Sequence, residues 1–272
     1  MTFEFPGESR LDYYPCRYGR SKLLFRGPRR KLDGRYAAVV GGSESYGKYV
    51  AHPFPALLED TVGFPVVNFG HMHAGIDLFA NDSVVMDACS DATVVIVQLL
   101  AAHTMSNGLY SVHPHRNDRF LNASTLMKTL FRDLNFDEFV FTRHLLWAVK
   151  EQFPDRFEIL AEELRKAWTA AMRQLLRRID AKTLLLWIDD KPGEENEALG
   201  FHPLRVTEEM VADIRPDAAG LVRFRPSEAA RNAGLDGMIF SPLDEPIARH
   251  LPGPSYHAEI AAALLPAVRR LL

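Results

Sequence analysis

The chain has 272 residues, of which 47% are hydrophobic and 25% are charged. These fractions match globular proteins, and they exclude a disordered, collagen-like or coiled-coil chain. The length allows one large domain or two small ones with a sizeable core. With 32 basic and 35 acidic residues the formal net charge is −3, so the overall charge gives no indication of nucleic-acid binding.

The cysteine content and the apolar runs indicate where in the cell the protein is located. Cys16 and Cys89 are too few for a disulfide framework or a four-cysteine zinc site. The first residues lack the basic and apolar segments of a signal peptide. The most apolar run, 94–102, is far shorter than the roughly 20 residues of a membrane-spanning helix. We therefore expect a cytoplasmic protein without a membrane or nucleic-acid partner.

Residues 1–33 are predicted to form a basic N-terminal arm that packs on the rest of the chain. Its cationic stretch, which contains no acid, carries Arg17, Arg20, Lys22, Arg26, Arg29, Arg30 and Lys31. Leu23, Leu24 and Phe25 in the same stretch favour docking. A solvated extension or a patch for an anionic partner are the alternatives. Residues 34–272 are predicted to be one domain.

Five short apolar runs in this domain are predicted to be strands. They are 36–40, 66–69, 93–99, 182–188 and 220–224. Helical periodicity predicts helices over 55–62, 77–88, 154–179, 207–214 and 258–272. Between them, residues 100–150 form a polar and aromatic insert, for which loops and short helices are predicted.

The alternation of strands and helices predicts an α/β fold with an open, five-stranded parallel sheet and helices on both faces. Ligands bind at the carboxyl ends of such strands. The loops 41–48, 70–75, 100–107 and 189–191 are therefore expected to converge on one rim.

The loop after the first strand admits a phosphate-binding interpretation. Gly42, Gly47 and Lys48 satisfy the G-x-x-x-x-G-K pattern of a P-loop. However, Tyr49 stands where a hydroxyl would meet Mg²⁺, and Glu44 adds a negative charge near the phosphates. This alternative would make the protein a nucleotide- or sulfonucleotide-dependent transferase.

The same loop admits a serine nucleophile. Ser43 follows a Gly-Gly turn at the end of the first strand, where its hydroxyl would be exposed. A serine hydroxyl needs a base to become a good nucleophile. Among the 10 histidines, His257 is the best placed, because we expect it in a loop at the same rim, just before the last helix.

Four segments resemble the SGNH (GDSL-type) hydrolase superfamily. They are Gly41-Gly42-Ser43, Phe54 to Glu59, Asn68-Phe69-Gly70 with Gly75, and Tyr256-His257 with the following helix. The resemblance spans about 36–102 and 183–272, and it implies a flavodoxin-like three-layer sandwich. The N-terminal segments 16–19 and 24–28 are similar to a bacterial branch of this superfamily, which implies no particular substrate.

The resemblance implies a serine esterase, acyl hydrolase or acyl transferase acting on a small molecule or carbohydrate. Ser43 would be the nucleophile and His257 the base. The backbone N–H groups of Ser43 and of Gly70 or Gly75 would hold the oxyanion, together with the side chain of Asn107, which a longer loop after the third strand displaces from the superfamily position. Glu44 and His103 would be additional site residues. No metal or other cofactor is expected, although His71, His73 and His103 could form a metal cluster on the rim.

Two positions depart from the superfamily pattern. Gly42 stands for an aspartate in the first block, and Pro254 stands for the aspartate three residues before the histidine. Without that carboxylate His257 needs another orienting partner, for which Asp244, Glu245 and Glu259 are candidates. A catalytically degenerate member that binds a glycan or a protein is therefore a further alternative.

Overall fold

The computed structural model describes residues 11–189 and 206–272. Residues 1–10 of the predicted arm and the rim positions Asp190 and Lys191 lie outside these ranges. The strands are β1 (Ala37–Val40), β2 (Val66–Asn68), β3 (Val94–Gln98), β4 (Tyr110–His113), β5 (Arg116–Ala123), β6 (Lys182–Ile188) and β7 (Gly220–Phe224).

Five of these strands form one parallel sheet in the order β2-β1-β3-β6-β7. Counted within the sheet, this is the 2-1-3-4-5 order of flavodoxin-like folds. The predicted fold class is confirmed, and every predicted strand is present within two residues of its predicted bounds. The carboxyl ends of β1, β2 and β3 lie side by side, because β1 occupies the place between the other two.

The helices cover the sheet on both faces. They are α1 (Ser43–Tyr46), α2 (Phe54–Val62), α3 (Ile76–Ala80), α4 (Ser83–Ser90), α5 (Thr125–Leu130), α6 (Thr142–Gln152), α7 (Pro154–Arg178), α8 (Glu208–Ile214), α9 (Glu228–Asn232), α10 (Glu245–Ala248) and α11 (Pro254–Leu271). No helix of the described residues has the length and apolar character needed to cross a bilayer.

Alternate residues of the strands enter two separate cores. Val40 and Val97 face a core that includes Trp168 of α7. Val39 and Ile96 face the other core, which is filled from α2 and α11. This alternation follows from the period of two in a strand, and it explains why the central strands are apolar on both faces.

The insert differs from the prediction of loops and short helices. It contains an antiparallel hairpin of β4 and β5, followed by α5 and α6. The strands were missed because most of their side chains are polar, and Asn117 and Phe120 are the buried residues of β5. Trp147 of α6 is 54% exposed.

The described part of the arm packs against the end of β2 and against α2. Cys16 and Phe25 form an isolated antiparallel bridge, and the Phe25 ring packs edge-on against Phe69, with centroids 5.1 Å apart. Arg30 pairs with Glu59 of α2 through two hydrogen bonds. These contacts bring the arm against β2 and α2.

Candidate active site

Ser43 lies at the carboxyl end of β1, as the first residue of the short helix α1. Its side chain is partly exposed. The backbone N–H of His73, in the loop after β2, donates to Ser43 Oγ over 3.4 Å. The structure therefore brings Ser43 to the predicted rim, where its hydroxyl accepts a hydrogen bond from the 70–75 loop.

Gln98 at the end of β3 fixes the loop that carries Ser43. Its Oε1 accepts from Gly42 N (3.0 Å) and from Ser45 Oγ (2.7 Å). Its Nε2 donates to Glu44 Oε2 over 2.7 Å. The predicted site residue Glu44 is thus oriented at the rim. Gln98 itself was not singled out from the sequence, although a buried polar residue ending an apolar strand is a signal for such a role.

These bonds contradict the P-loop alternative. The N–H of Gly42, which would cradle a phosphate, already donates to a side chain. α1 ends at Tyr46, before the lysine, whereas a P-loop needs a helix N-terminus facing the phosphates. Lys48 Nζ lies over the Tyr49 ring, 4.8 Å from its centroid.

The far side of this loop is held by Arg26 of the arm. Its guanidinium is buried and donates to four backbone carbonyl oxygens, those of Tyr46, Gly47, Val50 and Ala51. No carboxylate in the described ranges pairs with it. Burial lowers the pKa of Arg26 from its usual value. The loop after β1 is therefore built around one buried cation.

His257 is not in a loop, as predicted, but in the first turn of α11, and it is fully buried. Its Nδ1 accepts from Phe54 N (3.1 Å), so the proton lies on Nε2. Within 11–189 and 206–272 no hydrogen-bond partner meets Nε2. Burial lowers the pKa of His257 to about 3. Ser43 and His257 do not form the predicted hydrogen-bonded pair.

The helix begins earlier than predicted because proline is favoured in the first turn of a helix. Pro254, the position where an orienting aspartate was sought, is the first residue of α11. The candidate substitutes are also engaged elsewhere: Glu259 accepts from Ser227, and Glu245 pairs with Arg249. Asp244 accepts from Ser241 Oγ over 3.1 Å.

Three of the predicted oxyanion donors, those of Gly70, Gly75 and Asn107, already have an acceptor. Gly70 N donates to Asn68 Oδ1 and Gly75 N donates to Asn117 Oδ1, each over 2.7 Å. The Asn107 amide donates to Met105 O (3.1 Å), as part of a turn. In this conformation the N–H groups of Gly70 and Gly75 are not available for a developing oxyanion, which corrects the prediction for these two residues. The Asn107 amide has a second N–H, so its role stays a prediction.

His103, the other predicted site residue, lies inside the protein. It is 9% exposed, and its carbonyl oxygen accepts from the buried hydroxyl of Tyr110 over 2.9 Å. His71, His73 and His103 do not converge, and no group of three metal-ligating side chains is found in the described part of the chain.

Gly75 is required by a close approach of two loops. A Cβ at this position would be 1.5 Å from the Thr104 carbonyl oxygen. From the other side, the fully buried Asn117 of β5 accepts from Gly75 N. The hairpin of the insert is thereby clamped to the 70–75 loop.

The clamp brings an acid beside His73. Asp118 Oδ2 lies 3.7 Å from His73 Nδ1, and Arg116 Nη2 is 3.3 Å from the same oxygen. The side chains of His73 and Asp118 are 45% and 19% exposed. Burial lowers the pKa of His73, and the carboxylate of Asp118 opposes this effect. Asp118 was not singled out from the sequence, because the hairpin that positions it was not predicted.

The chain belongs to the family described as a domain of unknown function (DUF6473), whose profile matches residues 1–272. No curated protein matches the sequence.

Three solved structures have a similar backbone fold. A carbohydrate esterase family 2 enzyme of Corynascus thermopiles (Myceliophthora fergusii) is 12% identical, covers 91% of this chain and 72% of its own, and has a TM-score of 0.45. A family two carbohydrate esterase of Clostridium thermocellum, in complex with cellohexaose, is 10% identical. It covers 91% of this chain and 67% of its own, with a TM-score of 0.42. A Desulfitobacterium hafniense protein assigned to the G-D-S-L lipolytic family is 11% identical. It covers 88% of this chain and 100% of its own, with a TM-score of 0.41. At these values the similarity carries no argument about activity.

Proposed function

We propose that this member of the DUF6473 family is a serine-dependent hydrolase or acyl transferase that acts on esters of a small molecule or carbohydrate, with Ser43 as the nucleophile. The observation that carries the proposal is the position of Ser43. Its partly exposed hydroxyl stands at the carboxyl end of β1, where ligands bind in sheets of this topology.

The loop geometry supports this role for Ser43. The Gln98 bonds hold the residues on either side of the serine. Preorganisation of this kind lowers the cost of placing a nucleophile against a carbonyl carbon. The N–H of Ser43, which starts α1, has no acceptor in the described residues. It is our proposed donor to the oxyanion.

The polar character of the rim supports a hydroxylated substrate. Glu44, Lys48 and Asp118 are near enough to His73 to act on its charge, so the rim beside Ser43 carries several charged groups. Such charged groups form hydrogen bonds with sugar or polyol hydroxyls, whereas an acyl-lipid site would need apolar walls. We therefore propose that the alcohol part of the ester is polar.

The test is covalent labelling with a fluorophosphonate probe, read by mass spectrometry of the digested protein. We expect the label on the Ser43 peptide of the wild type and no label in Ser43→Ala. Ser90→Ala is the matched control, since Ser90 ends α4 and its Oγ bonds with Arg178 and Asp180 just before β6, at the amino ends of the strands. A folded wild type that neither takes the label nor hydrolyses p-nitrophenyl acetate would refute the proposal.

One observation favours a second candidate function, the binding of a glycan or a protein partner without turnover. The buried His257 and the engaged N–H groups of Gly70 and Gly75 leave the superfamily machinery incomplete. The same experiment separates the two functions. A binding protein would give neither label nor ester hydrolysis, yet titration calorimetry with a glycan panel would give saturable heat.

A further inference from the structure

We propose that His73 is the general base for Ser43 and that Asp118, from the insert hairpin, is the residue that positions it. This inference rests on the proposed function. The general base is then His73 in the loop after β2, and not His257 in the last helix. The insert contributes to the reaction through Asp118.

The first argument is proximity. The backbone nitrogen of His73 is 3.4 Å from Ser43 Oγ. The imidazole belongs to the same residue, so it is within one side chain's reach of the hydroxyl. Its 45% exposure leaves it access to a substrate and room to turn. The fully buried His257 has neither.

The second argument is the backbone of His73. Its φ is +58°, in the left-handed region that costs residues other than glycine about 1–2 kcal/mol. Such strain persists where the surroundings impose it, and it clusters at functional sites. Here the surroundings are identified: Gly75, two residues on, is held between Thr104 and Asn117.

The third argument is the partner. Asp118 is adjacent in sequence to the buried clamp residue Asn117, and it faces His73 Nδ1 at 3.7 Å. A carboxylate at Nδ1 favours the tautomer with the proton on that atom, which leaves Nε2 as the basic nitrogen. Arg116 pairs with the same carboxylate and restricts it from the other side.

The reaction follows from these roles. Ser43 Oγ forms a bond with the acyl carbon while its proton passes to His73. That proton then goes to the alcohol oxygen as the ester C–O bond breaks. Water or an acceptor alcohol next attacks the acyl-serine, gives its proton to His73, and the proton returns to Ser43 Oγ as the acyl group leaves.

The ionisable groups around His73 define the pH dependence. Asp118 and Glu44 favour its protonated form, and Arg116 and Lys48 oppose it. His71 lies on the same loop, and His73 lowers the pKa of His71 when His73 is protonated. Burial outweighs the two carboxylates, so His73 is neutral near pH 7 and can accept a proton.

The experiment measures the second-order rate constant of fluorophosphonate labelling at Ser43 from pH 5 to 9. The variants are His73→Asn and Asp118→Asn, with His115→Asn in the hairpin turn as control. Asparagine tolerates a positive φ, so the loop keeps its conformation in His73→Asn. We expect this variant to lose about 100-fold or more of the rate at pH 7 and to lose the inflection of the wild type. His115→Asn should label like the wild type.

Asp118→Asn tests the positioning role through the pKa of His73, which a merely structural role of Asp118 would leave unchanged. Removal of the carboxylate should lower the rate and shift the inflection to lower pH, because the neutral imidazole is then favoured. The pKa of His73, followed by NMR in the same variant, should fall in parallel. An unchanged pKa would overturn the pairing whether or not the protein is active.

The outcomes separate the two proposals. If the wild type labels at Ser43 and His73→Asn labels equally fast, while His257→Asn does not label, His73 is not the base and the proposed function still stands. If the folded wild type does not label at all, the proposed function fails and the base assignment falls with it.

Discussion

The buried hydrogen bonds of Arg26 allow a prediction about the stability of the loop that bears Ser43. We consider Arg26→Met, which keeps much of the apolar stem and removes the guanidinium. Its exposed neighbour Arg29 lies 5.7 Å from the Tyr18 ring centroid, and Arg29→Met is the matched control. Both variants remove one positive charge from the same arm, so the difference between them isolates the buried hydrogen bonds.

The magnitude follows from the carbonyl oxygens that Arg26 serves. The bonds to Gly47 and Val50 are buried, and those to Tyr46 and Ala51 are partly buried. A buried acceptor left without a donor costs about 1–3 kcal/mol, and water can replace the donor at the two outer oxygens. We therefore expect Arg26→Met to lower the free energy of unfolding by about 2–6 kcal/mol. The exposed Arg29→Met should stay within about 0.5 kcal/mol of the wild type.

Urea unfolding followed by circular dichroism measures both values, and thermal unfolding checks them. For a chain of this size, 1 kcal/mol corresponds to roughly 2–4 °C in Tm. Arg26→Lys, with a smaller cationic head, should fall between the wild type and Arg26→Met. If Arg26→Met and Arg29→Met are equally stable, the guanidinium does not organise the loop and the reasoning is wrong.

Two further predictions concern packing and pH. Gly75→Ala should unfold the clamp or the whole domain, because its Cβ would lie 1.5 Å from the Thr104 carbonyl. Gly34→Ala is the control in calorimetric Tm measurements: nothing lies within 4 Å of its Cβ, and φ is +76°, so it should cost about 1 kcal/mol. His257 should make stability fall with acid. Its pKa is about 3 in the folded state against about 6.5 unfolded, so the unfolded chain binds more protons between these values. From pH 7 to pH 5 the wild type should lose about 2 kcal/mol more than His257→Asn in urea unfolding; equal losses would show that the folded imidazole is not kept neutral.

The central strands of the sheet could be predicted because they are almost fully buried. The segments that became β1, β3 and β6 are apolar on both faces, and each is bounded by turn residues or helices. The amphipathic helix α7 was predicted within one residue of its end, since its apolar stripe is long and regular.

The hairpin and the start of α11 could not be predicted from the same signals. β5 has two buried side chains among eight residues, too few for a strand pattern, and its burial depends on contacts with distant loops. Pro254 was interpreted as a loop residue, although it begins the helix. That error moved His257 from the interior to the rim. In the candidate site, Ser43 was predicted from a local turn, whereas Asp118 is brought there by the tertiary clamp alone.

The clamp between Asn117 and Gly75 couples the hairpin to the loop that follows β2. One adjacent pair of residues supplies both an acceptor that shapes the 70–75 loop and a carboxylate beside His73. Shortening the insert would therefore remove loop geometry and charge in a single step. A redesign of the hairpin therefore has to treat the 70–75 loop as part of the same unit.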